Sequence, residues 1–307
     1  MSIQLYLMRP LLRFQIKRRF RKNPDVFELR PIMEEALGML KAPPADIIFD
    51  QTTLGGVPTE RISAPGTSTH AAIFYIHGGG WVAGSPKNHR PLTWRLTRQL
   101  GIPIYAPDYR LAPEHPFPAG LDDCLAAWRA LLDTGLPASS IVMGGDSAGG
   151  NLALALALRL KDEGLPLPAA LVCLSAATDL ASTGASDTSN AKADALFIPE
   201  MMTTVEARYF PGHDAKEPYL SPLYGDAKGL PPTLFQVGAT EMLLDDSTRM
   251  AAKIREAGGT AELEVWPKVW HVWHLMADRL PEGEKAITNI STFIKKHLPS
   301  PDTKGNA

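Results

Sequence analysis

The chain has 307 residues, with 31 Lys and Arg against 33 Asp and Glu, a net charge of −2. That balance gives no footing for nucleic-acid binding, and the apolar fraction of 45% is that of an ordinary soluble protein. The two cysteines, Cys124 and Cys173, exclude a disulfide framework and have no metal-ligand spacing, which suits a reducing compartment.

No apolar run is long enough to span a bilayer, and the N-terminus lacks signal-peptide order, so the expected location is cytoplasmic, with no stable membrane insertion. Met8, Leu12, Ile16 and Phe20 recur at four-residue spacing beside Arg9, Arg13, Lys17 and Arg21. This predicts an amphipathic helix starting near Pro10. Two uses fit it: a membrane-surface helix, or a cover laid over the rest of the protein. The second is preferred because interfacial helices need more apolar area. Lys41 to Asp46 reads as a linker.

Strand and helix then alternate. Ala71–Ile76, Ile104–Ala106, Ile141–Met143, Ala170–Leu174, Thr233–Val237 and Ala261–Trp266 read as strands. Arg90–Leu100, Leu121–Leu132, Leu152–Leu160, Ser247–Ala257 and Glu284–Lys296 read as helices. Apolar strands alternating with helices predict a doubly wound, mostly parallel α/β sheet. The domain plan is N-terminal cap helices over 1–45, a core over 46–180 and 219–300, a cap or lid insertion over 181–218, and a tail over 301–307. The insertion is polar and then helical through Met201–Tyr209, and long excursions of this kind carry function.

Gly145-Asp146-Ser147-Ala148-Gly149 fits G-x-S-x-G and lies between a strand and a helix. Such a turn strains the serine and points its hydroxyl outward as a nucleophile. The competing role, a helix N-cap, explains the serine but not the flanking glycines. His77-Gly78-Gly79-Gly80-Trp81 follows the first apolar strand. Glycines have no side chains to offer, so their use is in backbone N–H groups. Gly79 and Gly80, with the N–H of Ala148, would form an oxyanion hole. A phosphate-cradling loop is disfavoured because neither G-K-[ST] nor G-x-G-x-x-G is present.

With Asp108-Tyr109-Arg110-Leu111-Ala112-Pro113-Glu114 and Tyr219-Leu220-Ser221-Pro222, these motifs resemble the hormone-sensitive-lipase family of esterases. The resemblance covers about Ala71 to the C-terminal helix. It implies an α/β-hydrolase fold with eight mostly parallel strands and a helical cap. It also implies hydrolysis of short- to medium-chain acyl esters without cofactor or metal, and a homodimer through the last strand and helix. The Asp108–Glu114 block is expected to brace the loop beside the site.

In this fold the acid and then the histidine follow the serine in chain order. His271 and His274 both follow the last strand, and the resemblance places the base at His271. The loop after Thr233–Val237 offers Glu241, Asp245 and Asp246. The family's acid aligns with Glu241, a departure from its usual Asp, while Asp245 and Asp246 suit a helix start. Trp81, Phe197, Trp270 and Trp273 either wall an apolar pocket or pack in the core. The same machinery serves amide, lactone or acyl-transfer chemistry, and a ligand receptor on a disabled hydrolase is the remaining alternative.

Overall fold

Ser2 opens the first helix, its Oγ accepting the Leu5 N–H at 3.1 Å. The computed structural model describes residues 1–22, 25–37 and 41–299, so the expected 301–307 tail lies outside the described residues. Helix α1 runs Ile3–Lys22, seven residues earlier than its expected start, with Pro10 inside it. Pro10 is exposed and removes one helix hydrogen bond, which the long apolar contact of α1 with the body outweighs. Leu5, Met8 and Leu12 pack on Trp270, Trp273 and Leu280. Arg9 and Lys17 donate to the carbonyls of Ala193 and Ala191, each at 2.7 Å, and Arg13 donates to that of Lys192. A short α2, Leu29–Leu37, follows.

Strands β1, Ile48–Leu54, and β2, Val57–Ser63, form an antiparallel hairpin. Its two-residue turn, Gly55-Gly56, has positive φ at both positions, as the strand twist requires. This hairpin is absent from the strands expected above, because β1 is exposed along most of its length and lacks the apolar run of a buried strand.

The remaining strands are β3, Ala72–Ile76; β4, Ile104–Pro107; β5, Ile141–Asp146; β6, Ala170–Leu174; β7, Thr233–Gly238; and β8, Ala261–Trp266. All eight join one sheet in the order β1-β2-β4-β3-β5-β6-β7-β8, parallel from β4 onward. Three helices, α3 (Pro86–Leu100), α4 (Ala119–Leu132) and α5 (Ala148–Asp162), connect the central strands. The excursion after β6 carries α6, Ser186–Ser189, and α7, Glu200–Tyr209. Helices α8, Leu244–Glu256, and α9, Pro281–His297, complete the chain.

Two cores flank the sheet. Phe74 and Ile76 face Trp128 of α4, Leu152 of α5 and Met250 of α8. Ile73 and Tyr75 face Leu92 of α3 and Ile290 of α9. Helix α5 is apolar all round because it is buried all round: Leu152, Leu154, Leu156, Leu158 and Leu160 are each at most 2% exposed.

Candidate active site

Ser147 ends β5 and begins α5 with φ 53° and ψ −121°. A non-glycine residue there costs on the order of 1–3 kcal/mol. Burying two α5 leucines, at about 1.5–3 kcal/mol each, outweighs it. Ser147 forms no side-chain cap bond to its helix, so its half-buried hydroxyl is not used as an N-cap. Its N–H bonds the Leu174 carbonyl at 2.8 Å, which extends the sheet pairing to the turn. The flanking glycines are forced by contact. A Cβ on Gly145 would lie 2.5 Å from the Ile76 carbonyl oxygen, and one on Gly149 would lie 2.0 Å from it.

The glycine loop leaves β3 beside this turn. Gly79 has φ 126°, and a Cβ there would meet the Ala83 carbonyl oxygen at 2.0 Å. The Gly78 N–H is taken by Asp146 Oδ1 at 3.2 Å. The N–H groups of Gly79, Gly80 and Ala148 meet no protein acceptor among the described residues, and so are available to an incoming oxyanion.

Beneath the loop lies a buried polar knot. Asp146 accepts the Tyr75 hydroxyl at 2.6 Å and faces His89 Nε2 at 3.2 Å. His89 Nδ1 faces the Ser85 carbonyl at 3.0 Å, which can only accept, so Nδ1 carries a proton. Burial alone would raise the Asp146 carboxyl, but the His89 charge and the bonds from His89 and Tyr75 hold it at about 2. Burial likewise opposes the His89 cation, and Asp146 reverses that, raising His89 above its usual value. Each partner thus favours the charged form of the other. His77 is held neutral by burial, with its pKa lowered to about 3. Its ring stacks on Tyr109 at 4.3 Å, and the Tyr109 hydroxyl donates to the His77 carbonyl at 2.9 Å. Glu114 holds Arg30 of α2 at 2.7 Å, and Arg30 donates to the Val82 carbonyl at 2.6 Å. Arg110 is fixed on Asp123 at 2.7 Å. The Asp108–Glu114 block thus ties down the loop from outside.

On the far side, Glu241 follows β7 in a tight turn and is fully buried. Its Oε1 accepts the Gly238 N–H at 2.6 Å and the Ser175 hydroxyl at 2.9 Å. Its Oε2 accepts His271 Nδ1–H at 2.8 Å, so the other imidazole nitrogen is free for a proton. The other candidates point elsewhere. His274 Nε2 bonds Gln236 Oε1 at 2.8 Å, and burial drives its pKa down to about 3. Asp245 accepts the Ser186 N–H, and Asp246 the N–H groups of Thr178 and Asp179.

Of the four aromatics singled out above, Phe197 lies against His271, ring centroids 4.4 Å apart. Trp273 is fully enclosed and Trp270 is 3% exposed, both packed under α1. The Trp81 ring is stacked on Tyr209 at 4.6 Å. All three tryptophans are at most 4% exposed. Sequence reasoning missed His89 and Tyr75; the available signal was Asp146, a carboxylate between buried glycines that must find partners. A surface cleft of 590 Å³ between Met1, Trp266 and Lys285 contains none of the site residues. No group of three metal-ligating side chains forms among the described residues.

The model of the alpha/beta hydrolase fold family matches residues 73–275. An acetyl-hydrolase of Streptomyces hygroscopicus is 40% identical over 262 residues, 85% of this chain and 86% of the relative. An esterase of Acinetobacter venetianus is 35% identical over 94% of this chain and 95% of the relative. A crystal structure of an esterase from the bacterial hormone-sensitive lipase family superposes with a TM-score of 0.91 at 40% identity, covering 97% of this chain and 99% of that one. The serine turn, the glycine loop and the overall topology agree with these likenesses: the chain belongs to the alpha/beta-hydrolase fold family, among the esterases of the hormone-sensitive lipase group.

Proposed function

We propose that this ester hydrolase cleaves short- to medium-chain acyl esters with Ser147 as nucleophile, His271 as base and Glu241 as the acid that orients it. The observation that carries the reading is the buried Glu241–His271 pair, 2.8 Å apart, which directs a bare imidazole nitrogen outward. His271 takes the Ser147 proton as Oγ attacks the ester carbonyl. The carbonyl electron pair moves onto oxygen, where the N–H groups of Gly79, Gly80 and Ala148 hold it. His271 then gives its proton to the leaving alkoxide as the C–O bond breaks. Water repeats the cycle on the acyl-enzyme and releases the carboxylic acid. Phe197 packs on the His271 ring, which places an apolar wall beside the base and supports an acyl substrate.

Cys124 and Cys173 are buried free thiols, which supports a cytoplasmic setting. The free edge of β8, with Val265 exposed beside α9, supports a homodimer seam there. The residues 181–218 serve as the cap, with α1 and α2.

The test is Ser147→Ala with p-nitrophenyl butyrate. Turnover should fall on the order of 10⁶-fold, and a fluorophosphonate should label the parent once, on Ser147. A variant that kept its turnover would end this reading.

A further inference from the structure

Among the described residues, six of the eight large hydrophobic side chains that stand exposed lie in the first fourteen residues. Ile3, Tyr6, Leu7, Leu11 and Phe14 are 59–76% exposed and fall at i, i+3, i+4, i+8 and i+11 of α1. That spacing puts them on one stripe. It is not the stripe that covers the protein, which is Leu5, Met8, Leu12 and Ile16. Helix α1 is therefore apolar on two opposite faces, and only one is covered. Contiguous exposed apolar surface of this kind marks an interaction site.

We propose that the outer face of α1 docks the enzyme on an anionic lipid–water interface. Charge selects this occupant. Residues 1–22 hold seven Lys and Arg and no Asp or Glu, in a chain whose total is −2. Arg9, Arg13 and Lys17 bond backbone carbonyls, which leave their charge in place. Arg18, exposed and next to Phe14, lies at the end of the stripe. Arg19 is paired with Glu28 and Glu35, but a second copy meeting this face two-fold would still set Arg18 and its basic neighbours against their own copies with no acidic residue of α1 to answer them. A bilayer surface with anionic lipid offers both an apolar layer for the stripe and countercharge for its flanks. No described helix is long and apolar enough to cross the membrane, so α1 would lie in the interface plane, about 30 Å long. Its inner face packs on Trp270 and Trp273, which flank His271 in the chain, and Ile16 shares a cluster with Phe197, so docking sets the site on the lipid-facing side under α1.

The experiment is co-sedimentation of the full-length chain with vesicles of phosphatidylcholine, alone or with one quarter phosphatidylglycerol. Partitioning onto the mixed vesicles should exceed that onto pure phosphatidylcholine at least about tenfold, and should weaken as salt shortens the screening length. The variant Ile3→Ser/Leu7→Ser/Phe14→Ser changes only solvent-facing side chains. It should keep the parent's melting temperature and lose at least about tenfold in partitioning. Arg18→Gln, which leaves the apolar stripe whole, should weaken binding to the mixed vesicles about fivefold and to pure phosphatidylcholine not at all. A parent that stays in the supernatant, or a folded triple variant that binds as the parent does, overturns the proposal. So does light scattering in which the triple substitution turns a dimer into a monomer while no form binds vesicles.

Discussion

Replacing Glu241 with Gln tests the triad acid at the level of a single proton. Glu241 Oε1 receives two buried donors, Gly238 N–H and the Ser175 hydroxyl, so the amide oxygen of a Gln must take that place. The amide NH₂ then faces His271 Nδ1, across the 2.8 Å now spanned by Nδ1–H and Oε2. Two donors cannot face each other there. The imidazole responds by moving its proton to the other nitrogen, which leaves no lone pair to receive the Ser147 proton. The same inversion of tautomer in a serine protease triad lowers kcat by about 10⁴, or about 5.5 kcal/mol of barrier. Both buried donors keep an acceptor, so the fold should be spared and the melting temperature should stay within about 2 °C. Initial rates with p-nitrophenyl butyrate, at known protein concentration, measure the loss. A folded Glu241→Gln enzyme within tenfold of the parent would show that Glu241 does not orient the base.

Gly79→Ala places a Cβ 2.0 Å from the Ala83 carbonyl oxygen at a φ of 126°, so the loop must move its N–H groups. A kcat reduced by about 10² or more, with KM nearly unchanged, is the outcome of losing an oxyanion donor; a change in KM alone would contradict it. Asp246 predicts a pH dependence of stability. Burial pushes its carboxyl up to about 8 from an ordinary 3.8, so between those values the native state binds the proton more tightly than the unfolded chain. Stability is then lost as pH rises through that window. Asp246→Asn keeps an oxygen for the Thr178 and Asp179 N–H groups and cannot ionise. Its melting temperature relative to the parent should therefore climb from pH 5 to pH 9, and a flat difference would refute the shift.

Most of the sheet was legible because buried parallel strands are apolar along their whole length. Ala170–Leu174, buried throughout, has the bounds its residues suggest, and the half-exposed edge strand Ala261–Trp266 keeps its expected bounds too. The serine turn and glycine loop were legible for a different reason: at Gly79, Gly145 and Gly149 neighbouring backbone leaves no room for a side chain. The β1–β2 hairpin was not, since an exposed edge imposes no apolar pattern, although Gly55-Gly56 was a turn signal. Helix α1 was half legible. Its inner stripe is clear from spacing, but a second apolar stripe on the outer face blurs the start and adds to the apolar area that the inner spacing alone suggests. The partners of Asp146 were beyond reach, because Tyr75 meets it across the β3–β5 pair and His89 through the packing of α3 on the sheet.

That meeting bears on how the enzyme can change. Asp146 precedes Ser147 in the chain, yet its carboxylate also holds the Gly78 amide at the root of the glycine loop. One side chain thus ties the serine turn to the glycine loop that the proposed mechanism needs beside it. Drift at position 146 alone would leave the His89 imidazole buried without its carboxylate partner, and drift at 89 alone would leave a buried carboxylate without its imidazole. Tyr75, His89 and Asp146 are thus coupled, so a chimaera that changes the serine segment at Asp146 must match β3 and α3 at Tyr75 and His89.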